Sequence, residues 1–151
     1  MKVLLVAMLV VVLCCGSAFA ATSTGERLGQ FGLGALGGLA GAVVAVIAIA
    51  EITPQIESGF GKTAVVVGSL TIFDGLGAAA GVLAAGKIWG IDGSISGCIL
   101  GGLIGGLASA FTEPLLYLLG IPEGITEFFG MSLLPILPAV GAMMGFGNYQ
   151  E

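Results

Sequence analysis

The stretch DGSISGCILGGLIGGLASAFTEP, residues 92–114, decides the fold. It carries no charge from Ser94 to Thr112, and its glycines recur every fourth residue at Gly93, Gly97, Gly101 and Gly105. Ser109 follows at the same spacing, with Glu113 one step beyond, and a second row runs alongside through Gly102, Gly106 and Ala110. An i+4 repeat drifts by roughly 40° per step around a helix of 3.6 residues per turn, so each row forms an oblique groove. In lipid, hydrophobicity does not draw helices together. Small residues four apart do so by letting two backbones approach and gain dispersion contacts, at a right-handed crossing near about -40°. The stretch reads as a membrane-spanning helix with a packing seam.

The same device recurs along the chain: Gly34, Gly38 and Ala42 beside Gly37 and Gly41; Gly77, Gly81 and Ala85; Gly141 and Gly145. Leu28 to Ala50 is uncharged, Thr63 to Gly86 is interrupted only by Asp74, and a last apolar segment runs from Phe128 to about Phe146. Each approaches or exceeds the ~20 residues a span needs. Between them, Glu51 to Lys62 holds Pro54, Gly59 and Gly61, Lys87 to Gly93 is a short turn, and Pro122-Glu123-Gly124 marks another. Ser23 with Glu26 fits a capping box at the first helix start. Glu113-Pro114 disfavours continued helix, because the ring restricts the residue before it. The third helix is therefore expected to end near Thr112, with Leu115 to Ile121 at an interface. Pro135 and Pro138 predict a kink in the fourth. The expected fold is an all-α, polytopic membrane bundle of about four transmembrane helices packed through glycine zippers. Open strands would leave backbone facing lipid, and no period-2 alternation supports a barrel.

Composition agrees. Of 151 residues, 57% are hydrophobic and 9% charged, with a mean hydropathy of +1.14, whereas soluble domains carry roughly a quarter charged residues. Met1 to Ala20 has Lys2, an apolar run from Val3 to Leu13 and a small-residue ending Ala18-Phe19-Ala20, the order of a cleavable export signal. A lipoprotein reading at Cys14 or Cys15 is disfavoured, since the residue before the modified cysteine should be small and is Leu13 or Cys14. The glycine-rich transmembrane domain is then 21–151, with Cys98 as its one cysteine and no intrachain disulfide. Loss of Lys2 takes the net charge from -5 to -6, which argues against nucleic-acid partners. Membrane lipid is the expected environment, with a homo-oligomer or a membrane-protein partner formed through the same seams. The signal predicts a place in a cell-envelope membrane with both mature termini extracytoplasmic. Lysines and arginines in the loops scarcely bear on that orientation.

With DGSISGCILGGLIGGL at 92–107 and LLPILPAVGAMMGFGN at 133–148, the mature chain resembles a loose class of signal-bearing, glycine-zipper envelope proteins of bacteria. The resemblance implies location and no activity.

Candidates for chemistry are few. The chain has no His, removing the commonest metal ligand and neutral-pH acid or base. Neither a cofactor motif nor metal-ligand spacing is visible, and no nucleophile has a plausible base, so no enzyme is expected. Gly61-Lys62-Thr63 imitates part of a phosphate-binding loop, but Ile56 stands where the pattern needs glycine. Asp74 lies mid-span, within roughly 60° of Thr71, Gly77, Ala78, Gly81 and Ala85 on a helical wheel. It is therefore expected to point into the bundle. Intramembrane acids mark ion or proton paths, so Asp74 and Glu113 are candidates for a relay. The leading expectation is a structural or assembly component of the envelope, and the alternative is a small transporter or channel component using these two acids.

Overall fold

Two serines start helices and two glycines stop them. Ser58 and Ser94 hold extended backbone, and their hydroxyls accept from the N–H groups of Gly61 and Gly97 at 3.0 Å, satisfying donors that a helix start leaves free. Gly90 and Gly120 adopt left-handed backbone (φ 64° and 72°). There the N–H groups of Ile91 and Ile121 turn back to the carbonyls of Gly86 and Leu116. A side chain would strain that conformation, which is why glycine closes both helices.

The computed structural model describes residues 24–147, and among these it contains helices and no strands. In chain order these are α1 (Thr24–Ile52) with a 3-10 turn at Thr53–Gln55, α2 (Gly59–Ser69), a π turn at Leu70–Asp74, α3 (Gly75–Trp89), α4 (Ile95–Leu118) and α5 (Glu123–Gly147). The segment from α2 through α3 is one continuous span, so four helices are long and apolar enough to cross a membrane. The protein is an integral membrane protein with an all-α bundle fold. Successive spans run antiparallel and pack in sequence, the fourth closes against the first, and the second and fourth also meet across the middle.

Side-chain size is distributed inside out. Leu36, Val43, Ile47, Leu100, Ile104, Leu118 and Met131 project outward, while Gly34, Gly38, Gly41, Gly75, Gly102, Gly105 and Gly106 are buried. In water that distribution would waste the hydrophobic effect; in lipid the large side chains lose nothing by facing acyl chains. A modest apolar cluster of Ala79, Val82, Cys98, Ala142, Met143 and Phe146 fills the end nearer the α3–α4 turn.

The helices are longer than the charge pattern suggests. α4 runs through Pro114 to Leu118, so 115–118 is helical and only Leu119 to Pro122 is left for the turn. Pro114 costs α4 one backbone donor, the one that would serve Ala110, and neighbouring helices allow such a loss within membrane spans. The fourth helix begins at Glu123, five residues ahead of Phe128, and is assigned as helix without interruption through Pro135 and Pro138. Likewise the first and second spans extend beyond the uncharged stretches, because charges at helix ends reach the interface. At Asp74-Gly75 the helix widens into a π turn and does not break. The expected export signal and Ser23 of the capping box lie outside the described residues.

Not every glycine is pressed against a neighbour. A methyl group added at Gly32 or Gly68 would meet nothing within 4 Å. Gly32→Ala and Gly68→Ala should therefore leave thermal stability in detergent unchanged or raise it, by at most about 1 kcal/mol from reduced backbone freedom.

Candidate functional site

Three backbone seams converge on one carboxylate. Along the first, Leu33, Gly37 and Gly41 of α1 lie against Gly81, Gly77 and Phe73, in antiparallel register; a methyl group on Gly37 would collide with the carbonyl of Gly77, and the reverse also holds. The second pairs Gly97 with Gly145, Gly101 with Gly141, and Gly105 with Leu137 and Pro138. Gly93 lies at its end, where a methyl group would be 2.6 Å from the carbonyl of Phe146. A third seam joins Gly102 and Gly106 of α4 to Gly75 and Thr71. The two glycine rows of α4 thus serve two different neighbours, α5 and the second span. Gly34 and Gly38 take a separate role, facing Ala139 and Pro135 of α5 as well as Val82 and Asp74.

Asp74 closes the π turn at the level where all four spans meet. It is wholly buried. On one side Ser109 Oγ stands 3.4 Å from Asp74 Oδ2 and 2.8 Å from the carbonyl oxygen of Gly106; with one hydrogen to give, that hydroxyl is shared. On the other, Asp74 Oδ1 faces α1, where a methyl group on Gly38 would stand 2.9 Å from it and 3.5 Å from the Pro135 carbonyl oxygen. Oδ1 has no hydrogen-bond partner, and neither does the buried Thr71 Oγ1 nearby. Two further features mark this level. The helix is widened here into a π turn at Leu70–Asp74, beyond which the Gly75 N–H returns to the ordinary helical acceptors, the carbonyls of Thr71 and Ile72; such turns are frequent at functional sites. Pro135 and Pro138 remove the donors that would serve the carbonyls of Met131 and Leu134.

Glu113 is not in contact with Asp74. It lies one turn beyond Ser109 on α4, about 6 Å along the axis, exposed in a groove that also exposes Lys62, Thr63 and Tyr117. A methyl group on Gly130 would lie 3.4 Å from the Glu113 Cβ. Ser109 therefore lies between the two acids along α4, with its hydroxyl directed to Asp74 and the Gly106 carbonyl. Gly61-Lys62-Thr63 forms the first turn of α2, where Ser58 already takes the Gly61 N–H and Thr63 Oγ1 donates to the Gly59 carbonyl at 3.2 Å. No phosphate cradle results. Cys98 is buried, its thiol 3.5 Å from the carbonyl oxygen of Ala79 in the packing between second and third spans. Among the described residues no three Cys, Asp or Glu side chains gather as a metal site.

One polar residue escapes the sequence reading. Gln30, one turn before Gly34 on the buried face of α1, is fully buried, and both its amide atoms lack partners. Its signal was its isolation, since it is the only amide between Leu28 and Ala50. Arg27, also buried, lies three residues earlier at the end of the same face.

Fold and site together define a class: a four-span α-helical membrane protein with a carboxylate sealed at the centre of its bundle. Comparison with protein-family models, curated proteins and solved structures finds no match for this chain.

Proposed function

We propose that this protein is a non-enzymatic proton-translocating component, a small transporter or channel subunit in which Asp74 binds the proton. The observation that carries the reading is Asp74 itself, fully buried mid-span with Oδ1 unpartnered. Acids at that depth cost stability and are kept for ion or proton paths. The close approach of Gly38 to Oδ1 favours the smallest cation, a proton, over a hydrated metal ion.

Charge placement supports the same reading. The antiparallel spans put Glu51, Glu57, Glu113, Glu123 and Glu127 toward one membrane face with Lys62 as the single described cation there. An acid-rich mouth raises the local concentration of cations. From it, Glu113 and Ser109 lead inward to Asp74. Reconstituted into liposomes under an imposed pH gradient, the purified protein should collapse that gradient faster than empty vesicles do; rates equal to empty vesicles would withdraw the proposal.

A second reading, a structural or assembly component of a cell-envelope membrane, draws on the glycine zippers. Three close seams in one small bundle favour a rigid body. Because those seams are occupied within the chain, a homo-oligomer or membrane-protein partner would have to use the outer faces. Crosslinking in native membranes that yields a defined complex, together with absent proton flux, would favour this reading.

A further inference from the structure

Taking Asp74 as a proton site, we infer that a hydrated path reaches it from the membrane face opposite the acidic mouth. The path runs past Gln30 between the first, second and fourth spans, and a single apolar constriction at Val82 closes it. Four observations place it. Gln30 is fully buried with both amide atoms unpartnered, and a buried amide without a partner costs about 1–3 kcal/mol unless water or another polar group meets it. Asp74 Oδ1 is likewise buried and unpartnered, and it faces Gly38. Gln30, Gly34 and Gly38 share one buried face of α1, a turn apart. Small, fully buried side chains accompany the interval: Ala139 of the fourth span against Gly34, and Ala78 of the second, one turn from both Asp74 and Val82.

Gly34 lies midway, and there the interval narrows. A methyl group at Gly34 would be 2.8 Å from Val82 Cγ2 and 3.3 Å from the Ala139 Cβ, so the Val82 side chain sits on the glycine. Val82 is fully buried and offers no hydrogen-bonding group. Water on its Gln30 side is thereby separated from Asp74 by one apolar side chain, the arrangement by which pores gate through dewetting. The carboxylate then has two approaches: Oδ2 toward Ser109 and the acidic mouth, Oδ1 toward Gln30 and the Arg27 end.

Two measurements on the full chain test this. The first uses Gln30→Cys in native membrane vesicles, treated with a charged, water-soluble methanethiosulfonate and read by peptide mass spectrometry. The introduced thiol should be modified while Cys98, buried in helix packing, is not; an unreactive introduced thiol overturns the path. The second measures proton flux in liposomes for Val82→Thr, which keeps the volume and adds a hydroxyl, and for Val82→Ala, which removes bulk. Both should exceed wild type several-fold. If wild type conducts and both variants match it, the proton reading stands and the constriction falls. If neither wild type nor either variant conducts, the constriction and the proton reading fall together, and thiol labelling alone then decides whether the cleft is hydrated.

Discussion

Gly101→Leu should abolish the folded bundle, measured as loss of the thermal transition and of a monodisperse peak in mild detergent. The reason is where the side chain would go. Even a methyl group at Gly101 collides with the carbonyl of Gly141 and approaches the Ala142 nitrogen to 3.3 Å. Those atoms are backbone, so no rotamer change relieves the clash. α4 and α5 would have to separate, and their separation also loosens the Gly97–Gly145 contact on one side and Gly105 against Leu137 and Pro138 on the other. The cost should exceed the ~1–3 kcal/mol of ordinary overpacking. Gly101→Leu with Gly105→Leu should be no less severe. Leu100→Ala, at a side chain 60% exposed, should fold normally under the same conditions. A Gly101→Leu protein that keeps the wild-type transition would show that the third and fourth helices are not held by this seam.

Asp74→Asn should reduce proton flux to the level of empty liposomes while leaving the fold intact. The amide has nearly the same shape as the carboxyl, so the approach to Gly38 and the contact with Ser109 can persist, but it does not take up and release a proton near neutral pH. Stability should hold or rise, because an Asp at a span centre costs about 2.5–3.5 kcal/mol on insertion scales. A gain in stability with a loss of flux is the signature of a residue kept for function. Asp74→Asn with undiminished flux would remove Asp74 from the path, whatever else the bundle conducts.

The sequence makes the spans legible because lipid imposes a simple rule, long uncharged helices with small residues facing one another. Its charge pattern underestimates helix ends, as at Pro114 and Glu123, because interface charges and a proline do not terminate a helix whose neighbours support it. Asp74 is conspicuous in sequence as the single charge between Thr63 and Gly86. Which row of α4 meets which helix is not, since Gly101 and Gly102 are equivalent until α5 and the second span are placed. Gln30 illustrates the harder limit. A lone amide in an apolar run looks like interfacial polarity, and only its complete burial in the folded bundle reveals that its hydrogen bonds are unmet.

The four spans differ in length: 32 and 31 residues in the first two, 24 and 25 in the others. At 1.5 Å per residue that is about 47 Å against about 37 Å. Both exceed a hydrocarbon core of about 30 Å, the first pair by far more, so a thinner bilayer asks the long hairpin to lean further than the short one. Asp74 belongs to the long pair and Ser109 to the short pair. The Ser109–Asp74 contact thus joins the long hairpin to the short one, so it is the place in the bundle's interior where unequal leaning of the two would be felt.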